Sequence, residues 1–320
     1  MKDTFGREID YMRISITDRC NLRCRYCMPE GIEWIPMKEI LTFEEIKVAA
    51  EEAAALGIRK LKVTGGEPLV RKGCPDLIRM LKEIPGIKEV TLTTNGVLLS
   101  EYMPKLKEAG LTAVNVSLDT LDPKRYAEIT GKNEMNRVMA GIEAVLACDM
   151  PLKLNAVLRS EEDGDWETLS ELTNRLPLDV RFIELMPIGM GEKLKPISNE
   201  VILEKLLQKY PKLKRDDRKH GNGPAVYYHI PKALGSVGFI SAIHGRFCES
   251  CNRIRMTSTG DIKGCLCYDE GISIKEALRR GDRRMVRTLL TKAIQNKPQG
   301  HCFDQKGSIT EHRKMSRIGG

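Results

Sequence analysis

The sequence predicts an α/β fold built on parallel strands. Three observations lead there: strand-like and helix-like segments alternate along the first 186 residues, the helix stop signals fall between strands, and polar residues collect at the strand ends. The first strand is predicted over Arg13–Thr17, where Ile14 and Ile16 alternate with Arg13 and Ser15. A helix is predicted after Thr42, with Glu45 completing a capping box and Ile46, Ala49, Ala50 and Ala53 on one face, up to Gly57. Further strands are predicted at Ile58–Thr64, Lys88–Thr94, Ala113–Leu118, Leu152–Leu158 and Asp179–Met186. Helices lie between them, with stops at Pro85-Gly86 and Gly110 and a last one around Trp166–Arg175. Such units form an open sheet or a barrel, and six are fewer than the eight of a closed barrel.

The character changes after Pro187. Ser198 is expected to cap a helix carrying Ile202, Leu203, Leu206 and Leu207. Short strands are expected at Ala225–Ile230 and Val237–Ile243. A capping box at Ser273 and Glu276 then predicts one helix, and Met285, Val286, Leu289, Leu290 and Ala293 predict an amphipathic one. Pro298–Gly320 reads as a polar tail.

Composition bounds the function. In 320 residues, 41% hydrophobic and 30% charged, the chain can bury a core and is not broadly disordered. No apolar run reaches membrane-spanning length and the start lacks a signal-peptide stretch, so no membrane partner and a cytoplasmic location are expected. The net charge of +8 suits an anionic small molecule or a nucleic acid, but 5% aromatic residues leave little for base stacking.

Ten cysteines in a reducing compartment are not a disulfide scaffold. Cys74, Cys148 and Cys302 read as isolated buried thiols. Cys20-x3-Cys24-x2-Cys27 lies in the loop after the first strand; a zinc site wants four ligands, and no fourth follows nearby. Three thiolates on a four-iron cluster leave one iron open for chemistry. Cys248-x2-Cys251-x13-Cys265 forms a second group, and with Cys267 it also makes a plausible four-thiolate zinc site; spacing alone leaves zinc and a cluster open. Arg253 and Arg255 point the same way on a strand, as two guanidiniums for a phosphate or as a solvated face. Lys153 alternates with Leu152 and Leu154, and is either a buried cation wanting an anion or a solvated lysine.

Cys20-x3-Cys24-Arg25-Tyr26-Cys27 and Thr64-Gly65-Gly66-Glu67-Pro68 resemble the signature motifs of the radical S-adenosylmethionine superfamily. Within it the chain is similar over almost its whole length to the GTP 3′,8-cyclase family of molybdenum cofactor biosynthesis. The marks are Arg13–Asn21, Thr93-Thr94-Asn95-Gly96, Asn115–Asp119, Arg181–Met186, Phe247–Arg255 and the terminal Gly319-Gly320. The resemblance implies an incomplete (β/α)6 TIM-like barrel over residues 1–186. A smaller α+β region over 187–320 would close it and carry a second cluster.

By resemblance, Cys20, Cys24 and Cys27 hold one 4Fe–4S cluster, and Tyr26, Gly66, Ser117 and Met186 surround S-adenosylmethionine. Cys248, Cys251 and Cys265 hold an auxiliary 4Fe–4S cluster. Arg13, Lys62, Thr93, Lys153, Arg253, Ile254 and Arg255 match GTP-contacting positions, with Arg13, Lys153, Gly319 and Gly320 needed for the chemistry. Implied partners are GTP, an electron donor such as flavodoxin or ferredoxin, the downstream cyclic pyranopterin monophosphate synthase and a second copy of the chain, with no nucleic acid. Lys62 stands where the family commonly has arginine, and Cys267 is an additional thiol, a competing ligand or a packed one. The rival readings are a peptide-modifying radical enzyme and a non-catalytic zinc-binding protein.

Overall fold

The structure is a computed structural model that describes residues 1–28, 33–159, 165–194, 196–303 and 308–318. The first half runs β1 (Tyr11–Ser15), α1 (Phe43–Ala55), β2 (Lys60–Thr64), α2 (Cys74–Lys82), β3 (Glu89–Thr94), α3 (Leu99–Glu108) and β4 (Ala113–Ser117). Two helices follow, α4 (Pro123–Thr130) and α5 (Met135–Leu146), then β5 (Leu152–Ala156), α6 (Asp165–Arg175) and β6 (Leu178–Ile183). β1 to β6 are neighbours in chain order and all parallel. The Thr42–Glu45 capping box forms in both directions, at 3.2 and 2.7 Å, and α1 stops before Gly57, whose φ is +101°. β1 lies two residues earlier than the alternation suggested; Ile16 still bonds to Thr64, after the regular ladder has ended.

The second half adds α7 (Asn199–Lys209), β7 (Lys214–Asp216), β8 (Val226–His229), β9 (Val237–Ile240), β10 (Arg253–Met256), β11 (Asp261–Lys263), β12 (Ile272–Ser273), α8 (Lys275–Arg279) and α9 (Arg283–Gln295). β9 joins β6 in parallel and carries β8 and β7 antiparallel, while β10 joins β1 in parallel and carries β11 and β12 antiparallel. The later residues thus cover both edges of the six-stranded sheet, and the resulting twelve-stranded mixed sheet stays open.

One face of the sheet is apolar. Met12, Ile14, Leu61, Val63, Leu92 and Val116 pack there against the helices. A parallel sheet covered on both faces reads as a continuous apolar run. Here most of the alternate residues are polar or charged, so the other face is built for something besides packing.

Two expectations are corrected. Ser273 does not cap a helix: it pairs with Asp261 in β12, and α8 starts after Ile274 with no side-chain cap. Nor is the stretch after Pro298 a loose tail. Cys302, Phe303 and Ile318 are buried with Ile188, Leu266 and Cys267 in a second apolar cluster, and Glu311 forms a fully buried ion pair with Lys263. Arg7 donates to the carbonyls of Pro298, Gln299 and Cys248 at 2.7–2.9 Å.

Candidate active site

The register of the parallel strands assembles the charged face. Arg13 of β1 lies opposite Arg255 of β10 on one side and Lys62 of β2 on the other, and Lys62 in turn faces Thr91. Thr93, Asn115, Lys153 and Asp179 form a second row, and Ser117, Asn155 and Arg181 a third. Arg253 is the neighbour of Tyr11, one row below Arg255. Arg13, Lys62, Lys153, Arg181, Arg253 and Arg255 therefore share one face, together with Lys60, paired with Asp10, and Lys263, paired with Glu311.

Few protein groups neutralise them. Asp179 pairs with Lys153 at 2.5 Å and is itself 3.0 Å from His220 Nδ1, and Arg181 donates to Asn115 at 2.7 Å. Burial, and then the charges of Arg181, Arg13, Arg253 and Lys153, hold the Lys62 ammonium well below the ordinary lysine range. Burial followed by Arg13 and Arg253 does the same to Arg255. The Nε atoms of Arg13, Arg181 and Arg253 are buried without a hydrogen-bond partner. Crowded buried cations and unpartnered buried donors are costly, and a polyanion would answer both deficits. Ile254 does not belong to this face: its side chain is fully buried in the apolar core beside Met12. Arg181 was missing from the sequence-based set, although its alternation with Val180 and Phe182 placed it there.

The first thiol loop leaves the carboxyl end of β1. Arg23 and Arg25 N–H groups bond to the last carbonyls of α4, and Cys27 N–H donates to Cys24 O at 3.0 Å, folding the loop on itself. Cys20, Cys24 and Cys27 are half-buried and in no disulfide. Burial, and then the nearby Asp119, Cys27 and Cys20, push the Cys24 thiol well up. Leu22 N–H and Asn95 Nδ2 donate to Cys20 Sγ at 3.4 and 3.7 Å. Tyr26 is tied down by donating to Asp119 at 2.7 Å, and Asp119 also accepts from Val157 N–H.

The glycine at 66 has a steric cause: a Cβ there would lie 2.3 Å from the carbonyl oxygen of Arg19. Glu67 next to it accepts from Leu69 N–H, Thr94 Oγ1 and Asn95 N–H, and burial pushes its carboxyl up to about 7. Ser117 stands exposed at the carboxyl end of β4, and Met186 lies just beyond β6 against the second apolar cluster. Gly319 and Gly320 lie outside the described residues. Ile318, just before them, is fully buried.

The second thiol group enters β10 at the opposite end of the sheet. One 3-10 turn joins Cys248 and Cys251, and His301 N–H donates to Cys248 Sγ at 3.4 Å. Burial works against the Cys251 thiolate, but Lys297 and Arg253 outweigh it and hold that thiol below its ordinary range. Lys297 is itself buried and donates to Gly264 O at 2.7 Å, next to Cys265. Cys267 is turned away toward Cys302.

Each triplet offers three thiols outside any disulfide, a soft donor type that suits iron–sulfur clusters and zinc alike. Among the described residues no three His, Cys, Asp or Glu groups converge closely enough to share one ion, and no helix is long and apolar enough to cross a membrane.

Comparison with known proteins agrees with this layout. The profile of the Radical SAM superfamily matches residues 14–172, and that of Molybdenum Cofactor Synthesis C matches 178–303. The chain is 44% identical to the GTP 3′,8-cyclase of Clostridium perfringens (strain SM101 / Type A), over 100% of both chains. It is 45% identical to the GTP 3′,8-cyclase of Peptoclostridium acidaminophilum, over 99% of this chain and 98% of that one. Among solved structures, Streptococcus suis SuiB bound to S-adenosylmethionine shares the fold with a TM-score of 0.68 at 15% identity, covering 96% of this chain and 76% of that one.

Proposed function

The chain belongs to the GTP 3′,8-cyclase family, within the radical S-adenosylmethionine superfamily, and from that premise we propose that it converts GTP to (8S)-3′,8-cyclo-7,8-dihydroguanosine 5′-triphosphate, the first step of molybdenum cofactor biosynthesis. The observation that carries this reading is the cationic face between the two thiol groups, with its buried unpartnered guanidinium N–H donors.

Cys20, Cys24 and Cys27 would hold one 4Fe–4S cluster, and Cys248, Cys251 and Cys265 a second. When bound, the first cluster and S-adenosylmethionine supply a carbon-centred radical able to take the hydrogen from the 3′ carbon of the ribose. The residues do the rest by position. Arg13, Lys62, Lys153, Arg181, Arg253 and Arg255 neutralise a triphosphate of about four negative charges and fix its direction. Thr93 and Ser117 stand on the same face, Tyr26 lies in the first thiol loop, Gly66 packs against Arg19 at its start, and Met186 lies beyond β6; Tyr26, Gly66, Ser117 and Met186 are the positions for S-adenosylmethionine. Gly319 and Gly320 belong to this reading as residues needed for cyclisation. In this division of labour residues 1–186 generate the radical, and 187–320 bring Arg253, Arg255, the second thiol group and the tail.

An electron donor such as flavodoxin or ferredoxin, delivery of product to the cyclic pyranopterin monophosphate synthase, a homodimer and a cytoplasmic setting belong to the same reading. The test is anaerobic purification with iron and sulfide counted per chain, then incubation with GTP, S-adenosylmethionine and dithionite. About eight irons per chain with 5′-deoxyadenosine and cyclised GTP in equal amounts are expected. Deoxyadenosine without any change in GTP would overturn the substrate, and an iron-free chain would overturn the chemistry.

A further inference from the structure

Two cysteines outside both triplets face each other. Cys267 Sγ and Cys302 Sγ are 2.8 Å apart, although 35 residues separate them in the chain. Both are buried, at 0% and 7% exposure, among Ile188, Leu266, Phe303 and Ile318. The Cys302 N–H donates to Cys267 Sγ at 3.2 Å, and Thr310 and Glu311 N–H groups bond to Cys267 O, so backbone on both sides holds the sulfurs in register. An S–S bond is about 2.05 Å long, so bonding needs the sulfurs to approach by less than about 1 Å.

We propose that Cys267 and Cys302 are a dithiol–disulfide pair, and that oxidation staples the 298–318 segment to the loop after β11. The oxidant required is a small two-electron acceptor of thiol hydrogens, for which the diazene diamide is the probe. The less buried Cys302 sulfur adds across the nitrogen–nitrogen double bond. Cys267 sulfur then attacks Cys302 sulfur, the S–N bond breaks and the S–S bond forms. The hydrazine leaves with both electrons and both protons. Burial makes the first addition depend on a brief opening of the segment. Once formed, the disulfide encloses α8 and α9 and anchors the run through Glu311 to Ile318, which leads to Gly319 and Gly320. The pair is independent of which substrate the chain uses.

The anaerobic, iron-loaded full chain is treated with diamide, denatured in an alkylating agent and peptide-mapped. The expected result is one cross-link, between Cys267 and Cys302, with eight of the ten cysteines alkylated and iron per chain unchanged. Dithiothreitol should reverse it, and trypsin should cut after Lys314 more slowly in the native oxidised form. Separate alkylation of Cys267 and Cys302 would overturn the pair. Loss of iron in Cys302→Ser or Cys267→Ser would make the thiols ligands instead, and equal tryptic cleavage of both forms would overturn the staple.

Discussion

The two thiol triplets sit at opposite ends of one sheet and in opposite electrostatic settings. Around the first, Asp119 and burial push Cys24 up, and Glu67 lies within reach of Cys20. Around the second, Lys297 and Arg253 hold Cys251 down against its burial. The first loop is shaped by backbone contacts, with Gly66 against Arg19 and Cys27 N–H on Cys24 O. The second is shaped by long-range cations, Arg7 on the Cys248 carbonyl and Lys297 on that of Gly264. An acidic surround favours a ligand that brings positive charge, and a cationic surround favours one that brings negative charge. That is the order in which a sulfonium and a triphosphate would be placed.

Removing thiols tests the contrast most sharply. Cys24→Ala should reduce 5′-deoxyadenosine formation by more than about 10³-fold, whereas Cys251→Ala should keep deoxyadenosine and lose cyclised product. Chromatography of one reaction mixture reads both. Deletion of Gly319-Gly320 should leave melting behaviour and iron content unchanged and stop cyclisation, which equal product yield would refute.

Next are the arginines of the second region. Arg253→Ala and Arg255→Ala should each weaken GTP binding about 10- to 100-fold, the loss of a charge-assisted hydrogen bond, with iron unchanged. Calorimetry with GTP checks this, and undiminished affinity in the double variant would remove the cationic face from the site. In the first region, Gly66→Ala forces a Cβ onto the Arg19 carbonyl and should lower unfolding stability by about 3–5 kcal/mol, measured by urea melts.

A pH dependence belongs to the first region alone. Glu67 titrates at about 7 in the folded chain, above its ordinary 4.5, because of burial. The native state therefore keeps a proton that the unfolded chain has given up. The contribution of Glu67 to stability should be greatest below about 4.5, decline toward 7 and level off above it, opposite in sign to that of carboxylates held low, such as Asp3, Glu52 and Glu311. The span is up to about 3 kcal/mol. Glu67→Gln should flatten that decline in melts across the range.

Much of this was legible in the sequence because it depends on short periods. The alternation of Lys153 and Asn155 with leucines, and the two-residue spacing of Arg253 and Arg255, placed charges on one face of a sheet before any coordinates. Those periods left open what the face looks onto, since only the register of β10, β1 and β2 brings Arg255, Arg13 and Lys62 side by side. The Ser273 capping box failed because β12 needed that residue for pairing with Asp261 of β11, a partner that the local spacing of Ser273 and Glu276 does not show. The packing of residues 298–303 and 308–318 was illegible for a similar reason. A polar composition reads as solvated, and only the fold brings Glu311 to Lys263 and Ile318 to Ile188.

The row of Arg255, Arg13 and Lys62 has a consequence for the empty protein. Three cationic side chains in register disfavour one another's charge, and in the ligand-free sheet this adds to burial in holding Lys62 and Arg255 below their ordinary ranges. Any tight polyphosphate relieves that repulsion and shifts the melting point upward by mass action. Thermal stability would then report occupancy of the face, with inorganic triphosphate raising the transition under conditions where no radical chemistry can occur.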